Sequence, residues 1–592
     1  MSKFPSIKNV LKATFKTVLR FPLEVTAAIL GTIFAILLDN AEYDNPLKEL
    51  FIKAILSSSL CFVLFISVSL YFVTSQKNSL LRFATSLLLG ALLVAFVFNF
   101  DEQITTLQTQ QFLVLSICLH LLVSFAAFLP KKYNQNEFWE FNKQLFLRIL
   151  TASLYSIVLY SGLALALFAV KELFQVPFPN EIFAYLFYVI AGIFNSIFFL
   201  NGIPLIKNDT EPLQLKYPNG LKNFTQFILL PLISLYLIIL IGYEVQIILT
   251  FSLPIGWVSY LVLIFAIFGI LSFLLVYPIA SNVGNLWMRT FNRWFYFLLI
   301  PLLGLLFWAI IYRISLYGVT PERFYVLLLS IWLAFVVAYL LIQKEPKIKF
   351  IPISMCIAGL LSIIGPQSAS SVSKNSQLNR YESYIKKTEK EKLNFNQEKD
   401  LSSIVNFLDK NYDANILIIP QTKDKLTNLF QKNKNPSSTE IMEALGLEYH
   451  SEYATENDVR NNFYYSFYEN SDSTVENISG YDMALTVTNY SEFNCTDCIA
   501  INKINYSIKS TKSKYGLDLH LNNDVIPLKI FEFINNNLVF DQERSDKKRI
   551  TQVVDHSKYQ ISIQYINLNG TRNSTKKSIN TYSLRILVKV KK

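Results

Sequence analysis

Ala54-Ile-Leu-Ser-Ser-Ser-Leu-Cys61-Phe-Val-Leu-Phe-Ile-Ser-Val-Ser-Leu-Tyr-Phe-Val-Thr74 carries no charged side chain. As a helix rising ~1.5 Å per residue it extends for ~30 Å, the thickness of a bilayer's hydrocarbon core. A basic joint with Lys77 and Arg82 follows, and a new apolar run opens at Ala84. The alternation continues to about residue 366. The remaining cores are Pro22–Leu38, Ala84–Phe100, Phe112–Leu129, Ile149–Val170, Ile182–Leu200, Phe224–Leu249, Trp257–Ala280, Phe295–Ile311, Tyr325–Leu341 and Phe350–Ile364. The expected fold is a membrane all-α polytopic bundle of about eleven transmembrane helices, followed by a soluble α+β domain.

The joints between runs predict direction, because Lys and Arg close to span ends favour the cytoplasm. One alternate set holds Lys77 and Arg82; Lys131, Lys132, Lys143 and Arg148; Lys207, Lys216 and Lys222; Arg289 and Arg293; Lys344, Lys347 and Lys349. The other set is acidic or nearly uncharged, with Asp39, Glu42, Asp44 and Glu49 against Lys48 and Lys53, then Asp101 and Glu102, then Lys171 against Glu172 and Glu181, then Glu244; only the Arg313–Phe324 joint, with Arg313 and Arg323 against Glu322, departs mildly from the pattern. Lys3, Lys8, Lys12, Lys16 and Arg20 precede the first run, and no small-x-small cleavage site closes it, so it reads as a retained first span. An inside N-terminus and an odd number of spans predict a C-terminal domain outside the cytoplasm, which for an inner-membrane protein of a bacterium means the periplasm. The net charge of +11 is thus read as topological, and the expected partners are the lipid bilayer and an envelope protein or polysaccharide, with no nucleic acid.

The domain expectation is a bundle over residues 1–366, a Ser-rich linker over 367–376 and an extracytoplasmic α+β domain over 377–592. Gln377–Lys392 and Asp400–Tyr412 read as helices, and Ser437 with Glu440 as a capping box opening a third. From Asp482 the period becomes two: Met483, Leu485 and Val487; Leu517, Leu519 and Leu521; Ile561 and Ile563; Leu584, Ile586, Val588 and Val590. Asn569-Gly570 between the last two runs marks a turn.

Chemistry is sparsely signalled. No phosphate loop, Rossmann glycine fingerprint, nucleophile elbow or zinc-protease helix occurs, and the only histidines are His120, His450, His520 and His556. No metal site and no cofactor are expected from these residues, and no enzymatic activity is assigned. His120 falls near mid-span, as either a functional group or a neutral imidazole bonded to a neighbouring helix. Asn195 and the Ser and Thr residues of the fifth span read as interhelical glue. Glu244 is expected near the outer surface, reaching water. Cys61, Cys118 and Cys356 lie in apolar runs and read as small hydrophobes, whereas Cys495-Thr-Asp-Cys498 suits a local disulfide in an oxidising compartment, with an unpaired structural pair and then a redox-active pair as the alternatives. Asp39, Glu42 and Asp44 in the first outer loop are candidate catalytic acids, since membrane transferases using lipid-linked substrates place acids there to hold a divalent ion.

The most distinctive joint is Arg313-Ile-Ser-Leu-Tyr317-Gly318-Val-Thr320-Pro321-Glu322-Arg323-Phe324-Tyr325. Gly318 suits the positive φ that ends a helix, Thr320 a cap, Pro321 the first position of the next helix and Glu322 its dipole. Arg313, Tyr317, Glu322 and Arg323 are the candidate ligand or lipid head-group site, with the arginines as forks for phosphate or carboxylate. This joint, with Leu253-Pro254, Tyr277-Pro278, Trp287–Trp294, Leu327–Trp332, Phe4-Pro5, Phe21-Pro22, Ser376-Gln377-Leu-Asn-Arg380 and Gly480-Tyr481-Asp482, resembles domain-of-unknown-function family 4153. Pro321 departs from the family pattern. The resemblance implies a polytopic membrane protein of bacteria, Bacteroidetes above all, and it brings no activity with it.

Overall fold

A computed structural model describes residues 7–42, 44–204, 206, 213–250, 257–280, 286–343, 345–433, 435–455, 462–467, 478–489, 493–537, 544–546, 550–573 and 576–591. Phe4-Pro5, Leu253-Pro254, Lys207 and Lys344 lie outside them. By compactness the chain forms two units, one of residues 1–386 with 404–424, the other of residues 387–403 with 425–592.

The first unit is helical. Among the described residues nine helices are long and apolar enough to cross a membrane: Pro22–Asp39, Lys48–Ser75, Ser79–Phe98, Thr106–Ala126, Gln135–Phe174, Glu181–Asn201, Asn219–Thr250, Arg293–Tyr317 and Pro321–Ile342. The two other expected spans fall on shorter apolar stretches, Tyr260–Ser272 and Phe350–Ile363. These helices have the surface of a membrane protein. Leu88 is 65 % exposed and Leu165 68 %, and contiguous apolar exposure of this kind would aggregate in water.

Two apolar clusters hold the unit together. One gathers Leu60, Phe65, Cys118, Phe128, Phe141 and Cys356, and the other Leu263, Phe295, Leu302, Leu333 and Val336. In the first, Cys118 and Cys356 place their thiols on each other's backbone carbonyls at 3.6 and 3.4 Å. Gly359 lets these helices meet, since a Cβ there would run into the Cys118 sulfur.

The stretch expected to be a Ser-rich linker is helical, within Ala369–Thr388. Ser368 caps it, accepting from the Ser371 amide at 3.3 Å. Its buried stripe is Ala369, Ser373, Gln377, Tyr381 and Ile385, spaced by four, so the helical period is carried by small and polar residues. Tyr381 donates to the Leu417 carbonyl at 3.1 Å and Tyr412 to that of Ser370 at 2.9 Å, tying residues 404–424 to this helix.

The second unit is rich in strands. Met483–Thr488, Lys576–Val590, Tyr559–Asn573, Asn462–Phe467 and Arg544–Asp546 follow one another in one sheet, with Ile550–Asp555 also paired to Tyr559–Asn573. Asn494–Ile501, Ile504–Ser513, Gly516–Leu521 and Asp524–Pro527 form a second, antiparallel sheet. The period-two residues face inward: Leu485, Leu519, Ile561 and Ile586 share one core. Asn569-Gly570, expected as a turn, instead lies inside Tyr559–Asn573 opposite Thr581 and Ile579, where the register shifts. The glycine accompanies a bulge. Ser437 and Glu440 do form the capping box, and Gly446 at φ +82° ends the helix Ser438–Leu445.

Candidate functional site

The helix Leu286–Tyr317 stops at Gly318, whose φ of +69° is in the left-handed region and whose amide donates to the Ile314 carbonyl at 2.9 Å. Pro321 opens the next helix, with Glu322 in its first turn. Thr320 stands at the cap position, but its side chain makes no capping bond, contrary to expectation.

A helix end leaves carbonyls without helical partners, and here they are met by side chains distant in sequence. Arg380 donates to the Tyr317 carbonyl at 2.6 Å and the Leu316 carbonyl at 3.3 Å. Arg323 donates to the carbonyls of Tyr317 at 3.0 Å and Gly318 at 2.9 Å. The Gln377 amide reaches the Tyr317 and Val319 carbonyls at 3.1 and 2.9 Å, and Ser376 accepts from the Val319 amide at 2.9 Å. Two guanidinium groups therefore sit at the negative end of a helix dipole. A Cβ on Gly318 would lie 2.7 Å from Cδ of Arg380, 2.9 Å from Nε2 of Gln377 and 3.0 Å from Oγ of Ser376. Ser376, Gln377 and Arg380 were not foreseen as site residues, although their spacing of one and three puts them on one helical face.

This clamp changes the role expected of the arginines. Arg323 is committed to backbone carbonyls and lies 5.4 Å from the Tyr317 ring centroid. Glu322 accepts from the Gln110 amide at 2.8 Å. Arg313 makes no such bond among the described residues, and the Tyr317 ring is exposed. Beside Glu322 and Gln110 opens an almost wholly apolar cavity of about 370 Å³, bounded by Leu113, Leu263, Ile264, Tyr325, Val326 and Leu329. Its walls suit an alkyl chain.

The first-loop acids stay apart from this place. Asp39, Glu42 and Asp44 are exposed; Asp39 accepts from the Tyr188 hydroxyl at 3.5 Å, and Tyr185 bonds Asn40. Among the described residues none of the three contacts Arg313 or Arg323. His120 is exposed, and its Nδ1 faces the Ser116 carbonyl of its own helix at 2.8 Å, not a neighbouring helix. Glu244 is buried at 7 % exposure instead of reaching water, because its helix turns that face into the second apolar cluster alongside Leu240 and Ile247. Asn195 leaves its side-chain oxygen without a partner among the described residues, and Thr151 donates back to the Leu147 carbonyl of its own helix. Cys495 and Cys498 are joined as a disulfide in a strand whose register slips between Cys495 and Ile499.

The basic joint around Lys131 and Lys143 is also more than a set of free charges. Lys131 meets buried Glu137 at 3.0 Å and Lys143 meets buried Glu140 at 2.7 Å. Glu140 accepts the Lys216 amide at 3.0 Å, and Lys143 donates to the Lys216 carbonyl at 2.7 Å. Tyr217 beside them stacks on Trp139, and burial pushes its hydroxyl up to about 12.

Residues 25–399 match the family described as a domain of unknown function, DUF4153. The chain belongs to that family. The match takes in the Tyr317–Arg323 joint and Ser376–Arg380, and ends before Gly480-Tyr481-Asp482 and the strands, which the resemblance had been expected to reach. No curated protein and no solved structure matches the chain.

Proposed function

We propose that this DUF4153 protein is an integral protein of a bacterial inner membrane, in which the helical unit anchors an extracytoplasmic C-terminal unit and senses or transmits what it binds. The observation that carries the reading is the clamp of Ser376, Gln377 and Arg380 on the turn at Tyr317–Val319. Any displacement of the helix Ala369–Thr388 is delivered to the ends of two apolar helices, which is what an anchor or sensor requires. The alternation of basic and acidic joints supports a cytoplasmic N-terminus and a periplasmic C-terminus. The bound group on this reading is an envelope protein, polymer or lipid head group.

A lipid at the Tyr317–Arg323 turn is favoured by one further observation, the apolar cavity bordered by Glu322, and among the described residues Arg313 on the preceding helix makes no hydrogen bond or ion pair. The transferase reading draws less support, because among the described residues Asp39, Glu42 and Asp44 are exposed and make no hydrogen bond or ion pair with Arg313 or Arg323. A transporter would want charges clustered at mid-membrane depth, whereas the buried Lys143–Glu140 pair stands near the start of Gln135–Phe174.

Reporter fusions test the reading. Alkaline phosphatase fused after Lys592 should be active and a fluorescent protein there dark, with the reverse for insertions at Lys77. Fluorescence from the C-terminal fusion would overturn the orientation, and with it the role.

A further inference from the structure

We propose that Glu398, Glu448 and His450 form a binding site for a divalent transition-metal cation, zinc foremost. One ligand atom from each residue comes within 4.8 Å of the other two. For three atoms so spaced, a point exists within ~2.8 Å of all of them, against zinc bond lengths of ~2.0–2.2 Å, so a side-chain adjustment of well under 1 Å closes the site.

The site is built from both sides. Glu398 lies in the first turn of the helix Phe395–Asn411, and Glu448 and His450 follow the left-handed Gly446 that ends Ser438–Leu445. Glu448 and His450 stand two residues apart in that segment, with ligand atoms on the same side as Glu398. His450 is 6 % exposed, and its Nε2 lies 3.2 Å from Oε2 of Glu398. Its amide donates to the Ser402 hydroxyl at 3.0 Å, which in turn donates to the Glu398 carbonyl at 2.8 Å. The Phe395 ring packs on the imidazole at 4.5 Å between centroids. The Lys399 ammonium donates to the Ala454 carbonyl at 2.8 Å and holds the far end of the segment. Two ligands are thus positioned by their own backbone bonds, as metal sites need. Glu448 is exposed, which leaves an entry path and room for water.

The chemistry of the donors selects the ion. Two carboxylates brought this close repel each other unless a cation lies between them. An imidazole nitrogen disfavours calcium and magnesium, which take oxygen, and a site without thiolate disfavours copper(I). One nitrogen and two carboxylates with water completing the shell suit zinc. The competing account is the His450–Glu398 pair bonded to each other without any metal.

Zinc titration decides between them. Tag-free full-length protein in detergent, stripped with chelator and kept free of reductant, should bind one zinc per chain with Kd ~1 µM or tighter by calorimetry. Cobalt in its place should give visible d–d absorption that zinc abolishes. Glu448→Gln, at an exposed position where folding is not at stake, should weaken zinc by at least ~10-fold and change the cobalt spectrum. His450→Gln should do the same. If neither zinc nor cobalt binds, or if Glu448→Gln binds both as the parent does, the proposal falls and the metal-free pair stands.

Discussion

Gly318→Ala should be the most damaging single-methyl addition at the Tyr317–Arg323 turn. The added carbon carries a penalty of ~1–2 kcal/mol for holding a non-glycine residue in the left-handed region. It would also lie 2.7 Å from Cδ of Arg380, so the guanidinium must leave the Tyr317 and Leu316 carbonyls. Because Arg380 is partly exposed, the lower end of the range for a charged hydrogen bond applies, ~1.5 kcal/mol. The sum is ~3 kcal/mol, which at about 2 °C per kcal/mol for a large domain is a melting point lowered by ~6 °C. A thiol-reactive dye reads this unit selectively, because the free cysteines Cys61, Cys118 and Cys356 are all buried in it. The clamp makes a second demand. In a Gln377→Ala/Arg380→Ala background the two closest of the three side chains are gone and only the Ser376 hydroxyl, at 3.0 Å, has to give way, so Gly318→Ala should cost little beyond its backbone share, ~1–2 kcal/mol. A melting point within 1 °C of the parent, or a penalty unchanged by that background, would refute the reasoning.

Two further outcomes follow from the geometry. Alkylation of the unfolded protein taken directly from cells should tag three cysteines without reductant and five with it, since Cys495 and Cys498 are bonded and the other three are free; five tags without reductant would place that pair in a reducing compartment. Glu140→Gln leaves the Lys143 ammonium buried without its carboxylate and should lower the dye-reported stability by ~3 kcal/mol while speeding tryptic cleavage at Lys216; an unchanged digest would show that this pair does not hold the segment.

Much of the architecture was legible because burial repeats in sequence. Period two in Met483–Val487 and Leu517–Leu521 placed those strands, and uncharged runs such as Ala54–Thr74 placed the long helices. The failures share a cause. Ala369–Thr388 buries Ser373 and Gln377 on its inner stripe, so a scan for apolar periodicity passes over it and reports a Ser-rich linker. Asn569-Gly570 has the composition of a turn, yet long cross-strand pairing on both sides keeps the chain extended there. Glu244 was placed by its distance along a helix, which says nothing of which face turns inward.

The sites were harder to read than the fold, because their partners are either backbone atoms or residues far away in sequence. Arg323 beside Tyr317 invited the expectation of a phosphate or carboxylate ligand, since those are the partners that side-chain chemistry advertises. A carbonyl at the end of a helix has the same affinity for a guanidinium and no sequence signature, so the structural use of Arg323 could only emerge with the turn in three dimensions. Likewise His450 was set aside for lack of other histidines, when its nearest ligand-grade neighbour is a glutamate on a helix that begins at Phe395. For His450 the decisive quantity is convergence of residues 52 positions apart in the chain.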